Sequence, residues 1–385
     1  MNHIFKLVGR VNSANADKLG ETLFAEYKKY GELTLDADEL EYISSAGLRV
    51  LLKLRKEQGS LEIINVSSDV KDIFDTTGFS DLMTIKKKLR QVSVENCELI
   101  GRGGNGSVYR ISDDDIIKVY TSKTPVESIE KERELARSAF VAGVPTAIPY
   151  DVVKVGENYG IIFEMIKADV IARKFMNAPE HFDEYAEKYA ALFKQIHGVK
   201  LAGKGLPSTS QIYLSYLDQL GDWYSEEELK RLRWFIQQIP EKETMVHGDF
   251  HTNNVMVQGD ELLIIDMAEI SYGNPIFDLA SSYFVHMVTP RQYPDRVMRY
   301  LNVTPEVAMK LWNVIMEHYF ATKNQETISE YNKIIEGFSL LKAALIPAIW
   351  LNMPDEHKKN AVEAAQKYFF PQMEVLLEGL NKMIK

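Results

Sequence analysis

The chain has 385 residues, 45% of them hydrophobic and 26% charged, with a formal net charge of −10 at pH 7. That length accommodates two or three domains with sizeable cores, and the acidic balance argues against a nucleic-acid binder, whose phosphates it would repel. One cysteine, Cys97, excludes an internal disulfide; with no apolar run of membrane-spanning length and no signal-peptide pattern, the expected home is the cytoplasm, away from any membrane.

Residues 1–90 carry 14 Lys/Arg and 14 Asp/Glu, so all of the excess acidity lies beyond residue 90. Within this first stretch strands and helices alternate. Residues 5–11 read as a strand and 15–30 as a helix with Leu19, Leu23, Phe24 and Tyr27 near helical spacing. A strand at 33–36, a helix at 46–58, a strand at 61–66 and a short helix at 70–74 follow. The pattern predicts a small α/β layer. The spot that stands out is Ile43-Ser44-Ser45-Ala46-Gly47. Either serine suits a helix N-cap, where backbone N–H groups and the helix dipole also favour an added phosphate.

The order strand, helix, Leu-Thr-Leu-Asp, Ile-Ser-Ser-Ala-Gly-Leu-Arg-Val-Leu, then Asn-Val-Ser-Ser-Asp-Val-Lys-Asp-Ile-Phe, resembles a STAS domain, in particular the bacterial anti-sigma factor antagonists. In that family the serine two places before the glycine is phosphorylated by a partner kinase, which ends binding to it. Aligned on Gly47, that position is Ser45, a candidate phospho-acceptor; where the family usually has an acid before it, this chain has Ser44. The resemblance implies a protein partner for residues 1–90. Lys86-Lys87-Lys88-Leu89-Arg90-Gln91 reads as a basic link to a second unit, 91–385.

The second unit opens on Leu99-Ile100-Gly101-Arg102-Gly103-Gly104-Asn105-Gly106-Ser107-Val108. Gly101, Gly103, Gly104 and Gly106 would let backbone N–H groups close on phosphate oxygens. Alone this is also what a hairpin turn looks like. The strand 115–120 then carries Lys118 between apolar neighbours, which is costly unless it meets an anion. A helix over 128–142 offers Glu132 or Glu134 as its ion-pair partner, and Leu135 and Ala139 favour Glu132 by placing it on the inward stripe. Strands at 152–155 and 159–165 lead to Glu164-Met165-Ile166, a hinge whose backbone would meet the adenine. This lobe spans 95–168. Helical patterns dominate the second lobe, 169–385, at 184–197, 209–224, 225–239, 277–286, 305–320, 328–344 and 361–380.

Between these helices lie Val246-His247-Gly248-Asp249-Phe250-His251-Thr252-Asn253-Asn254 and Leu262-Leu263-Ile264-Ile265-Asp266. A hairpin with polar turn residues is the plain reading. Phosphoryl transfer, however, needs this set: a carboxylate, Asp249, to take the proton of the attacking hydroxyl, and oxygen ligands, Asn254 and Asp266, to hold Mg²⁺ against nucleotide phosphates. Only 11 residues separate Asp266 from Asp278, with no Ala-Pro-Glu anchor to seat a peptide, and His251 stands where protein kinases have lysine. Both features argue for a small hydroxylated acceptor.

Together, the glycine-rich loop, Lys118, His247-Gly248-Asp249-Phe250-His251 with Asn254, Ile264-Ile265-Asp266 and Gly273 to Asp278-Leu279-Ala280 resemble the aminoglycoside phosphotransferase / choline kinase superfamily over roughly residues 95–385. The resemblance implies a bilobal protein-kinase-like fold and use of ATP or another NTP with Mg²⁺. It makes Asp249 the catalytic base and Asn254 and Asp266 the metal ligands; Gly101 to Gly106, Lys118 and Glu132 would position the nucleotide, and His247 and Asp278 would brace the loop. Two other readings stay open: a kinase acting on Ser45 or on a partner protein, and a nucleotide-sensing scaffold for an anti-sigma-type partner.

Overall fold

The computed structural model describes residues 3–103, 106–201, 206–351 and 353–383. It divides into two compact units, residues 1–93 with 152–157 and residues 94–151 with 158–385.

The first unit runs β1 (His3–Val11), α1 (Ala16–Tyr30), β2 (Leu33–Ile43), α2 (Ser45–Gln58), β3 (Glu62–Val66), α3 (Ser68–Thr76) and β4 (Thr84–Lys87). The strands form a parallel sheet in the order β1-β2-β3-β4, which helical crossovers make accessible. Leu7, Leu23, Leu35, Leu51, Leu54, Ile63, Val70 and Phe74 fill its core. The last two residues of the edge strand β4 belong to the run read from sequence as a basic link. Ile85 packs on the core and Lys86 pairs with Glu62 at 3.0 Å, so one apolar anchor and one ion pair turn a solvated-looking run into a strand.

Helix α2 starts where the serine pair predicts. The Ser44 hydroxyl accepts from the Gly47 N–H, and Ser45 is the exposed first helical residue. Gly47 is required by packing: a Cβ there would stand 2.6 Å from Val11 Cγ1 and 2.7 Å from Ile43 Cγ1. Gly47→Val is expected to overpack this contact and cost the first unit about 2 kcal/mol, read as faster hydrogen exchange of the α2 and β2 amides.

Beyond residue 93 the chain runs β5 (Glu98–Gly103), β6 (Gly106–Arg110), β7 (Asp115–Tyr120), α4 (Val126–Val141), β8 (Pro149–Val155), whose last four residues group with the first unit, and β9 (Asn158–Glu164). Their sheet has the order β5-β6-β7-β9-β8, antiparallel through β5, β6, β7 and β9. A helical part follows: β10 (Asp169–Val170), α5 (Ile171–Asn177), α6 (Phe182–Ile196), α7 (Thr209–Leu217), α8 (Glu226–Gln238), β11 (Met245–Val246), β12 (Val255–Gln258), β13 (Glu261–Ile264), β14 (Ser271–Tyr272), α9 (Ile276–Tyr283), α10 (Thr289–Gln292), α11 (Pro294–Leu301), α12 (Pro305–Tyr319), α13 (Gln325–Ile349), α14 (Asp355–Ala364) and α15 (Met373–Met383). Trp312, Tyr189, Phe175, Phe193, Phe235, Phe250, Phe338 and Phe369 are fully buried and form the centre of one large core. This β-rich sheet followed by a helical lobe is the architecture expected from sequence.

Two helices break inside the range expected for them. The helix expected over 209–224 stops at Leu217, ahead of Gly221-Asp222, residues that favour turns over helix interiors. The helix expected over 361–380 is broken into α14, a π turn at Ala365–Phe369, a 3-10 turn at Phe370–Gln372 and α15. Pro371 has no N–H to continue the ladder.

Candidate active site

Lys118 sits on the central strand β7, paired across from Val108 on β6 and Ile161 on β9. Its neighbours Ile117 and Val119 are buried on the opposite face, so strand alternation turns the lysine toward α4. Its Nζ donates to Glu132 Oε1 at 2.9 Å and to Asp266 Oδ1 at 3.0 Å. Burial alone would lower the ammonium's pKa; the charges of Asp266 and Glu132 more than reverse this and raise it. Glu134, the other acid considered, pairs instead with Arg133 at the surface. Asp266 has φ +64° and ψ +71°, a left-handed conformation that costs a non-glycine residue. The cost is offset by its pairing with Lys118 and by the Ile265 N–H donating to the Asn254 carbonyl at 2.8 Å, which ties the two candidate metal-ligand segments together.

Asp249 follows the short strand β11 and a turn at Gly248 with φ +86°. Around that turn several polar groups are held. Asp278, fully buried on the first turn of α9, accepts from the His247 N–H at 2.6 Å and the Gly248 N–H at 2.7 Å. Its Oδ2 also meets His197 Nε2 at 3.0 Å, and His197 Nδ1 meets the Tyr319 hydroxyl at 2.8 Å. Burial pushes the Asp278 carboxyl up, but the hydrogen bonds and charges of His197 and His247 together outweigh it and keep it below the ordinary value. His247 is buried and its pKa lowered, first by that burial. As the neutral tautomer, it accepts from the Asp249 N–H at Nδ1 and donates from Nε2 to the Ile265 carbonyl at 3.3 Å. The expected bracing role of His247 and Asp278 is thus visible as hydrogen bonds.

The Asp249 carboxylate meets His251 Nε2 at 3.3 Å, while Asn254 Nδ2 donates to the Asp249 carbonyl at 2.9 Å and its Oδ2 at 3.3 Å. Burial would raise the Asp249 pKa; the His251 hydrogen bond, with the charges of His251, Lys342 and His247, outweighs it and holds the carboxyl well below the usual range. Asn254 Oδ1 accepts no hydrogen bond from the protein among the described residues, and neither does Asp266 Oδ2. These are hard oxygen donors. Among the described residues no group of three His, Cys, Asp or Glu side chains could hold a metal by itself. An Asp–Asn pair completed by phosphate oxygens suits Mg²⁺, which keeps few protein ligands.

Asn254 and Asp266 line a cleft of about 600 Å³ together with Gly101, Gly103, Gly106, Lys118, Glu132, Glu164 and Ile166. Gly104 lies outside the described residues. Phe163, Ala147 and Met256 supply apolar walls, and the N–H of Ile166, another lining residue, donates to no protein acceptor among the described residues. Gly106 faces backbone: a Cβ there would lie 2.1 Å from the Val119 carbonyl oxygen. Gly106→Ala is therefore expected to splay β6 from β7 and weaken nucleotide binding about tenfold by calorimetry.

Several residues were not anticipated from sequence. Asn302, left-handed at the end of α11, donates to Asn253 Oδ1 at 2.6 Å and lines the cleft with it; Thr252 Oγ1 and Asn253 Nδ2 donate to the Leu301 and Tyr300 carbonyls, each at 2.6 Å. The asparagine closing a helix was a readable signal, but nothing local pointed it at the Asp249 loop. Lys342 and Ser281 both donate to the Gly248 carbonyl.

Residues 96–311 match the phosphotransferase enzyme family, and residues 2–92 match the STAS domain family. The first unit is 42% identical over 85 residues, 20% of this chain and 72% of the relative, to BtrV of Bordetella bronchiseptica, provisionally named an anti-sigma factor antagonist. Among solved structures, the ADP-bound aminoglycoside phosphotransferase APH(2'')-Ib aligns at 16% identity over 72% of this chain and 94% of its own, with a TM-score of 0.46. A choline/ethanolamine kinase family protein from Mesorhizobium loti aligns at 16% over 74% and 92%, with a TM-score of 0.44. The chain belongs to the phosphotransferase enzyme family and carries a STAS domain at its N-terminal end.

Proposed function

We propose that the second unit transfers the γ-phosphoryl group of ATP or another nucleoside triphosphate to the hydroxyl of a small molecule. The observation that carries this reading is the meeting of Lys118, Glu132, Asn254 and Asp266 on one cleft, with Asp249 hydrogen-bonded to Asn254 at its edge. Asp249 takes the acceptor's hydroxyl proton, the oxygen attacks the γ-phosphorus, and the bond to the β-phosphate oxygen breaks to release the diphosphate. Lys118, held by Glu132, orients phosphates; the glycine-rich β5–β6 turn covers them. The backbone of Glu164–Ile166 receives the base. Asn254 and Asp266 would hold Mg²⁺, which supplies charge neutralisation at the phosphates. The first unit serves as a protein-binding module whose partner controls, or is controlled by, this reaction.

A screen of amino alcohols, sugars and aminoglycosides by coupled ADP release, with Asp249→Ala as the blank, tests the reading. An acceptor-dependent rate lost in the variant supports it; binding of nucleotide with no turnover on any hydroxyl would favour the sensing scaffold. Ser45 favours a second reading because it is exposed at the start of α2. Radiolabel from ATP incorporated into the wild-type chain, and lost in both Ser45→Ala and Asp249→Ala, would support self-phosphorylation.

A further inference from the structure

The loop around Asp249 contains no lysine, yet an ammonium reaches it from far along the chain. Lys342 lies on α13 among the buried Phe338, Leu341, Ala344 and Leu345. Its Nζ donates to the Gly248 carbonyl at 3.4 Å across 94 residues of sequence, and to the hydroxyl of Ser281, which itself donates to that carbonyl at 3.2 Å. Among the described residues it forms no ion pair. Its direct hydrogen-bond partners are neutral oxygens, a weak return for the hydration a half-buried ammonium gives up, so stability alone is a poor reason for a lysine here.

What Lys342 holds is the peptide immediately before Asp249. The Gly248 N–H is fixed by Asp278 at 2.7 Å, its carbonyl by Lys342 and Ser281. Its φ of +86° leaves the turn free to rotate if either end is released. Lys342 also bears electrostatically on the Asp249 and Glu269 carboxyls. We propose that Lys342 is a positioning residue for phosphoryl transfer: by pinning the Gly248 carbonyl it fixes the plane from which the Asp249 carboxylate projects. This rests on the phosphotransfer reading above.

The test uses the full chain and Mg-ATP, with ADP release measured first with water and then with the best acceptor of the screen. Lys342→Met is expected to lower kcat about thirtyfold or more while KM for Mg-ATP stays within about threefold, and Lys342→Arg to recover most of the rate. Calorimetric ADP affinity and the melting temperature should stay near wild type in both variants. Unchanged kcat in Lys342→Met overturns the proposal. So does a parallel fall of kcat, ADP affinity and melting temperature that Arg does not rescue, the signature of a merely structural lysine. Wild-type ADP release that depends on Asp249 but not on Lys342 overturns this assignment alone; no Asp249-dependent release at all overturns the phosphotransfer reading and this one with it.

Discussion

Asp249→Asn is expected to slow phosphoryl transfer about a thousandfold while leaving Mg-nucleotide affinity within about threefold. The separation follows from position. The cleft that would take the nucleotide is lined by Asn254 and Asp266, whereas Asp249 stands beside it, linked through Asn254. Asparagine keeps the size of the side chain and leaves the Asp249 main-chain bond to Asn254 untouched; what it removes is the acceptor for the hydroxyl proton. Since the surrounding His251 and Lys342 hold the native carboxyl's pKa below the usual range, the wild-type base is ready at neutral pH. Stopped-flow measurement of ADP release, alongside calorimetric binding, checks both halves. A nucleotide-sensing scaffold would instead bind equally well in both forms and turn over in neither.

Asp278→Ala should cost the second unit about 3–5 kcal/mol and most of its activity. One buried carboxylate satisfies the His247 and Gly248 N–H groups and His197 together, so its loss strands two donors and a histidine in the interior. All four tryptophans lie beyond residue 220, so fluorescence-detected urea unfolding reports this unit selectively. The pH dependence has a definite sign. The fold lowers the Asp278 pKa below its ordinary 3.8, so its contribution is fully present above that value and is lost as pH falls through the lower folded one. The stability gap between wild type and Asp278→Asn should therefore narrow on acidification below about pH 4.

Much of the candidate site is legible because its chemistry is written in short spacings. Asp249 and Asn254 share one loop, Asp266 ends the next strand, and Lys118 betrays itself as a lysine between isoleucine and valine on a strand. The rest depends on contacts that sequence separates. His197 and Asp278 are 81 residues apart, His197 and Tyr319 are 122, and neither pairing leaves a periodic trace. Lys342 looks like one more polar position on α13 until Gly248 is placed beside it. In the first unit the serine cap and Gly47 mark α2 correctly, while β4 is hidden because it overlaps the lysine run and is anchored only by the half-buried Ile85 just before it. Helix length is the least legible feature, because α13 runs on through Pro347 whereas the stretch before α15 breaks at Pro371.

The most direct test is a crystal structure of the full chain with Mg²⁺ and a non-hydrolysable ATP analogue. The account predicts the triphosphate beneath the β5–β6 turn, Lys118 Nζ on its oxygens, and one Mg²⁺ bound by Asn254 and Asp266 at about 2.1 Å, with the γ-phosphate facing Asp249. A nucleotide seated elsewhere, or a metal held without Asn254 and Asp266, would contradict it.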